Sequence, residues 1–152
     1  MIYSFPKLLE RLAAGRGLVL AIIIDTAGST PQVQGASAIF SGAGLVAGTI
    51  GGGLLEARVG RVAGEALRDG KARLLSVRLD ADPTDKEGAI CGGTARVLID
   101  PGVEAAKGTF ASAVDGFRTR RPGALVSRIV SANGDLADVE RGWLPAGGPI
   151  LP

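Results

Sequence analysis

The residues best placed to do chemistry sit in glycine-rich bends. The first bend is Gly48-Thr49-Ile50-Gly51-Gly52-Gly53-Leu54-Leu55-Glu56, where a strand pattern runs into three glycines and then a helix pattern. Bare backbone N–H groups beside a helix N-terminus can cradle an anion such as phosphate. The same residues also suit a tight turn with close helix–sheet contact. No Gly-Lys-Ser/Thr follows, and the spacing is not GxGxxG, so neither nucleotide fingerprint is present. Glu56 in the first helical turn either complements the helix dipole or accepts hydrogen bonds from a ligand's amino or ring N–H groups.

The second bend is Gly88-Ala89-Ile90-Cys91-Gly92-Gly93. Flanking glycines leave the Cys91 sulfur approachable and free nearby N–H groups to stabilise a thiolate, which is both a nucleophile and a soft metal ligand. A free cysteine can equally be a small buried hydrophobe. Lys86 is the nearest lysine that could lower its pKa. Two further segments carry polar groups. Asp25 to Pro31 sets Thr26, Gly28, Ser29 and Thr30 in a loop at a strand end, facing a ligand or closing a turn. Asp80, Asp82, Asp85 and Glu87 could bind Mg²⁺ or form a solvated loop, and lack the calcium-loop glycine.

The 152-residue chain contains no histidine, which excludes Ser-His-Asp, Cys-His and His-bearing metal sites. One cysteine excludes an intrachain disulfide and fits a reducing compartment. A net charge of +2, without a basic stripe, gives no case for nucleic acid. The longest apolar run, Leu18 to Ile24, is too short for a bilayer, and no signal-peptide pattern opens the chain. A cytoplasmic protein is expected.

The elements that must position these residues follow from apolar spacing. Ser4 caps a short helix through Phe5, Leu8, Leu9 and Leu12, stopped by Gly15. Leu18 to Asp25 reads as a strand buried on both faces. Ala36 to Phe40 and Leu45 to Ile50 form a hairpin. Leu54 to Arg68 is the strongest helix, with Leu55, Val59, Val62 and Ala66 on one face and Gly70 as its stop. Arg73 to Leu79 and Thr94 to Asp100 are strands. Val103 to Arg118 is a helix with Phe110, Val114 and Phe117 inward, and Ala124 to Ser131 pairs with Leu136 to Trp143 across Asn133-Gly134. The fold class is α/β or α+β, a mixed β-sheet with two or three helices and no Rossmann domain. The expected organisation is a domain over residues 1–101, a helix plus β-hairpin extension over 102–143 packed on it, and a tail over 144–152.

The motifs occur in a characteristic order: Asp25-Thr26-Ala27-Gly28-Ser29-Thr30-Pro31, Gly35-Ala36, Gly51-Gly52-Gly53-Leu54-Leu55-Glu56, Gly88-Ala89-Ile90-Cys91-Gly92-Gly93, then Val97-Leu98-Ile99-Asp100-Pro101. In this the chain resembles the N-terminal domain of the XdhC/CoxI family over roughly Val19 to Pro101. The resemblance implies an accessory protein that binds molybdenum cofactor (molybdopterin) transiently. Such a protein assists the cofactor's sulfuration or its insertion into a xanthine dehydrogenase or carbon monoxide dehydrogenase type of molybdenum hydroxylase, without turnover of its own. It further implies cofactor contacts at Gly28, Ser29, Gly51, Gly52, Gly53, Glu56, Gly92 and Gly93, with Cys91 as candidate thiol and molybdenum contact.

The implied partners are the hydroxylase apoenzyme, a cysteine desulfurase and a separate Rossmann-domain chain, with no nucleic acid or membrane; a homodimer is expected. Leu54 stands where many members have cysteine, and Ala89 where many have methionine. Ser37 and Ala38 replace a bulkier apolar pair. Cys91 is therefore the single thiol, and only a dimer could bring two together. Two alternatives stay open: a small cysteine-dependent oxidoreductase or sulfur-transfer protein, and an interaction module of a split family member that binds no ligand.

Overall fold

A computed structural model describes residues 5–14, 17–79 and 92–148. Ser4, Gly15, the carboxylates of Asp80 to Glu87, Lys86, Cys91 and residues 149–152 lie outside the described residues. The element order is α1 (Phe5–Ala13), β1 (Leu18–Ala27), β2 (Ser37–Ser41), β3 (Gly44–Gly48), α2 (Gly53–Asp69), β4 (Ala72–Arg78), β5 (Thr94–Asp100), α3 (Lys107–Arg118), β6 (Gly123–Asn133) and β7 (Leu136–Pro145).

The strands form one seven-stranded sheet in the order β3-β2-β1-β5-β4-β7-β6. Every ladder in it is antiparallel. The fold is therefore the α+β form of the expected class. Parallel pairing is confined, among the described residues, to an isolated bridge between Ser29 and Gly92.

Alternation along β1 sorts the core into two layers. Val19, Ala21 and Ile23 face α2, whose Leu55, Val59, Val62 and Ala66 recur at helical spacing. Leu18, Leu20 and Ile22 face α1 and α3, meeting Phe5, Leu8 and Phe110. A β1 buried on both faces is the physical reason for its unbroken apolar run. The rings of Phe5 and Phe110 lie 5.3 Å apart at a tilted 57°, which ties the first helix to the last.

Helix α2 ends at Gly70, whose left-handed backbone sends its N–H to the Ala66 carbonyl at 2.8 Å. Just before it, Asp69 accepts hydrogen bonds from the Arg73 guanidinium (3.0 Å) and the Lys71 N–H (3.0 Å). The Arg73 hydrogen bond first, and the Lys71 backbone second, hold its carboxyl at about 2 instead of the usual 3.8. A depressed pKa means that the contact's contribution to stability is complete above about 3.8 and fades as pH falls through about 2. A carboxyl-carbon NMR titration should place the Asp69 midpoint near 2, and Arg73→Gln should return it toward 3.8.

Three expectations need correction. Helix α3 starts at Lys107 rather than Val103. Asp100 Oδ1 accepts the Gly102 N–H at 2.7 Å, and Lys107 N–H reaches the Glu104 carbonyl at 3.2 Å, so residues 101–106 are wound as turns while Val103 stays buried. Phe117 is 52% exposed instead of facing inward. The volume beneath the last turn of α3 is taken by Trp143, which sits against Gly116. The closing strand also runs to Pro145, past the expected Trp143.

Candidate functional site

The glycine triplet lies between β3 and α2, anchored below by the fully buried Ile50. Glu56 turns back over this bend. Its Oε1 accepts hydrogen bonds from Thr49 Oγ1 (2.7 Å), Gly52 N–H (3.1 Å) and Ile50 N–H (3.2 Å), and Thr49 Oγ1 accepts the Gly51 N–H at 3.1 Å. A carboxylate from the chain itself thus occupies part of the anion cradle. The N–H groups of Gly53, Leu54 and Leu55, in the first helical turn, have no partner inside the helix. Glu56→Ala strips the acceptor from Ile50 and Gly52; we expect a loss of about 2 kcal/mol in urea unfolding.

The Asp25 to Pro31 loop runs beside this bend. Asp25 Oδ1 accepts the Thr26 N–H (2.9 Å) and Gln34 Nε2 (3.1 Å), and Thr30 Oγ1 donates to the Gln32 carbonyl at 2.7 Å. Asp25 and Thr30 therefore close turns, while Ser29 is exposed. Pro31 lies against Gly51: a Cβ there would come within 2.6 Å of Pro31 Cγ.

On its other side the loop meets the second glycine bend. Ser29 bridges Gly92, and Gly92 N–H and Gly93 carbonyl pair with Leu79 at 3.1 and 2.8 Å. A Cβ on Gly93 would stand 2.1 Å from the Ser29 carbonyl oxygen and 2.7 Å from that of Ala27. One on Gly28 would meet Gly93 Cα at 3.1 Å. So Gly28, Gly51 and Gly93 are small because chain packs on chain. Gly52, Gly53 and Gly92 instead have nothing within 4 Å of where a Cβ would stand. The structure sets the Gly92-Gly93 pair against Ser29 and Gly51 against Pro31 of the same loop; Cys91, next in the chain, lies outside the described residues.

Three features escaped the sequence reading. Asp100 and Arg141 form a buried ion pair, with side chains 6% and 2% exposed. Arg141 also donates Nε to Ser127 Oγ at 3.1 Å and stacks 5.8 Å over Phe110, while its buried Nη2 has no partner. The available signal was an arginine in the alternating register Ala137, Val139, Arg141, Trp143. A cleft of about 430 Å³ lies beside this pair, bordered by Lys71, Asp100, Asn133 and Asp138. A smaller cleft of about 240 Å³ joins Asp25 and Thr26 to Ser76, Thr94 and Arg96. Among the described residues no group of three His, Cys, Asp or Glu is placed to hold a metal ion, and no helix is long and apolar enough to cross a membrane.

Parts of this chain are similar to known proteins. The chain is 38% identical over 80 residues to the uncharacterized protein YqeB of Escherichia coli strain K12, an overlap of 53% of this chain and 15% of YqeB. Its fold is similar to that of a crystal structure described as a xanthine dehydrogenase from Bacillus halodurans, with a TM-score of 0.74 and 23% identity over 95% of this chain. The chain spans 46% of that protein, and at this identity the likeness is one of fold. Residues 11–78 match the model of the XdhC and CoxI family, a stretch that contains both the Ser29 loop and the glycine triplet. Over residues 11–78, this chain is similar to the XdhC and CoxI family.

Proposed function

We propose that this chain is an accessory protein of a molybdenum hydroxylase of the xanthine dehydrogenase or carbon monoxide dehydrogenase type. In this reading it binds molybdenum cofactor at the Ser29 loop and assists its sulfuration or insertion. The match of residues 11–78 to the XdhC and CoxI family supports the accessory role. The observation that carries the site is the position of one loop: Ser29 is bridged to Gly92 while Pro31 packs on Gly51, so both glycine bends border the same loop.

The residues fit a phosphate-bearing pterin. Gly52, Gly53 and Gly92 leave open space above the backbone. The first-turn N–H groups of Gly53, Leu54 and Leu55 suit the phosphate. Ser29 can hydrogen bond the pterin edge. Glu56 acts here by shaping the turn, since its Oε1 already serves Thr49, Ile50 and Gly52. Cys91, one peptide bond from Gly92, is the candidate molybdenum contact. The bound cofactor would supply a molybdenum centre able to exchange an oxo for a sulfido ligand. The partners on this reading are the apoenzyme, a cysteine desulfurase, a separate Rossmann-domain chain and a second copy of this chain, all in the cytoplasm.

The test is purification from molybdate-fed cells that make the cofactor, with bound molybdenum and the fluorescence of the oxidised pterin as readouts. We expect both to co-purify, and Gly53→Asp to lower pterin by roughly tenfold by setting a carboxylate where the phosphate sits. A chain that carries neither above background, while a full-length family member handled identically retains both, defeats the proposal.

A further inference from the structure

A groove of about 480 Å³ opens where the C-terminus of α3 meets β6, at residues the cofactor site does not use. Its floor is Trp143. The indole sits against backbone at two glycines: a Cβ would come within 2.6 Å of Trp143 Cζ2 on Gly116 and 2.4 Å on Gly123. The ring is thereby seated firmly yet left half-buried. One wall is Phe117, 52% exposed.

The opposite wall is made of arginine. Helix α3 closes with Arg121 N–H on the Gly116 carbonyl (2.8 Å) and Arg120 N–H on the Phe117 carbonyl (3.3 Å), the Schellman pattern. Its left-handed position usually takes glycine, but here Arg120 occupies it at φ 54°. A strained arginine on a surface turn points to a use for its side chain. Among the described residues no carboxylate pairs with Arg118, Arg120 or Arg121. Asp115 is the one acid beside them, in an adjoining groove that it shares with Arg121 and Trp143.

We propose that this corner docks an acidic segment of a partner protein. Its carboxylates would be held by Arg120 and Arg121, and an apolar side chain would lie on Trp143 against Phe117. Buried tryptophan and arginine are the residue types that dominate protein interfaces, and arginine forks match carboxylates. Arg120 and Arg121 beside an aromatic floor, unpaired with any carboxylate among the described residues, select an acidic occupant over a neutral one.

Trp143 is the sole tryptophan, so its emission reads the groove directly. The full chain is titrated with a synthetic peptide alternating glutamate and leucine, and with its glutamine counterpart. At low salt the acidic peptide should shift the emission with a midpoint below about 1 mM. The glutamine peptide, or salt near 1 M, should weaken binding roughly tenfold. Arg120→Gly relieves the backbone strain, so it keeps the helix end intact; it should weaken binding about threefold, and about tenfold when combined with Arg121→Gln. No emission change up to about 1 mM, equal binding of both peptides, or wild-type affinity in the double variant overturns the proposal. So does an emission shift with protein concentration alone, which would assign the groove to a second copy.

Discussion

Asp100→Ala is expected to cost about 3–5 kcal/mol of unfolding free energy, because it strands a buried guanidinium. The Arg141 side chain is 2% exposed, so its guanidinium is poorly placed to exchange the lost carboxylate for bulk solvent. The same substitution removes the acceptor for Gly102 N–H and loosens the turns that aim α3. Asp100 closes β5 while Arg141 belongs to β7, so the pair fastens the last hairpin to the centre of the sheet. Replacing both together, Asp100→Leu with Arg141→Met, should recover most of the loss, since an apolar pair carries no desolvation penalty. Urea unfolding of the two single variants and the double measures this. A loss below about 1 kcal/mol for Asp100→Ala would show the pair to be as weak as a surface contact.

Gly93→Ala is the second large effect. The added methyl meets two carbonyl oxygens of the main chain, at 2.1 Å from Ser29 and 2.7 Å from Ala27. Backbone cannot swing aside as a flexible side chain can, so the Ser29–Gly92 bridge must open. We expect about 3 kcal/mol of destabilisation, at the upper end for overpacking, together with loss of bound pterin. Gly42→Ala is the matched control. Nothing lies within 4 Å of its Cβ position, and it should stay within about 0.5 kcal/mol of wild type. Thermal unfolding separates the two, and a Gly93→Ala chain as stable as Gly42→Ala would refute the contact.

Local periodicity made the elements legible. Leu55, Val59, Val62 and Ala66 mark α2 within a residue of its ends, and Thr94 to Asp100 is the observed strand. What spacing along the chain cannot carry is pairing across it. That β5 inserts between β1 and β4 depends on ladders between residues far apart in sequence. Phe117 obeys the helical repeat and still faces outward, because a tryptophan 26 positions later fills its place. At the site, the glycines announced bends but not their reasons. Sequence treats Gly51, Gly52 and Gly53 alike, whereas the fold uses the first to seat Pro31 and leaves the other two open. Glu56 was legible as a first-turn acid; that it serves three donors of its own bend was not.

The strand order has a consequence for the stretch that matches the family. The family match ends at residue 78, the last position of β4, yet β1 and β4 never touch as strands: residues 94–100 lie between them. A polypeptide truncated at that border would hold both flanks of a slot and lack the piece that fills it. Its unfilled backbone donors and acceptors would favour clumping over folding. The smallest autonomous unit is therefore longer than the stretch that matches the family.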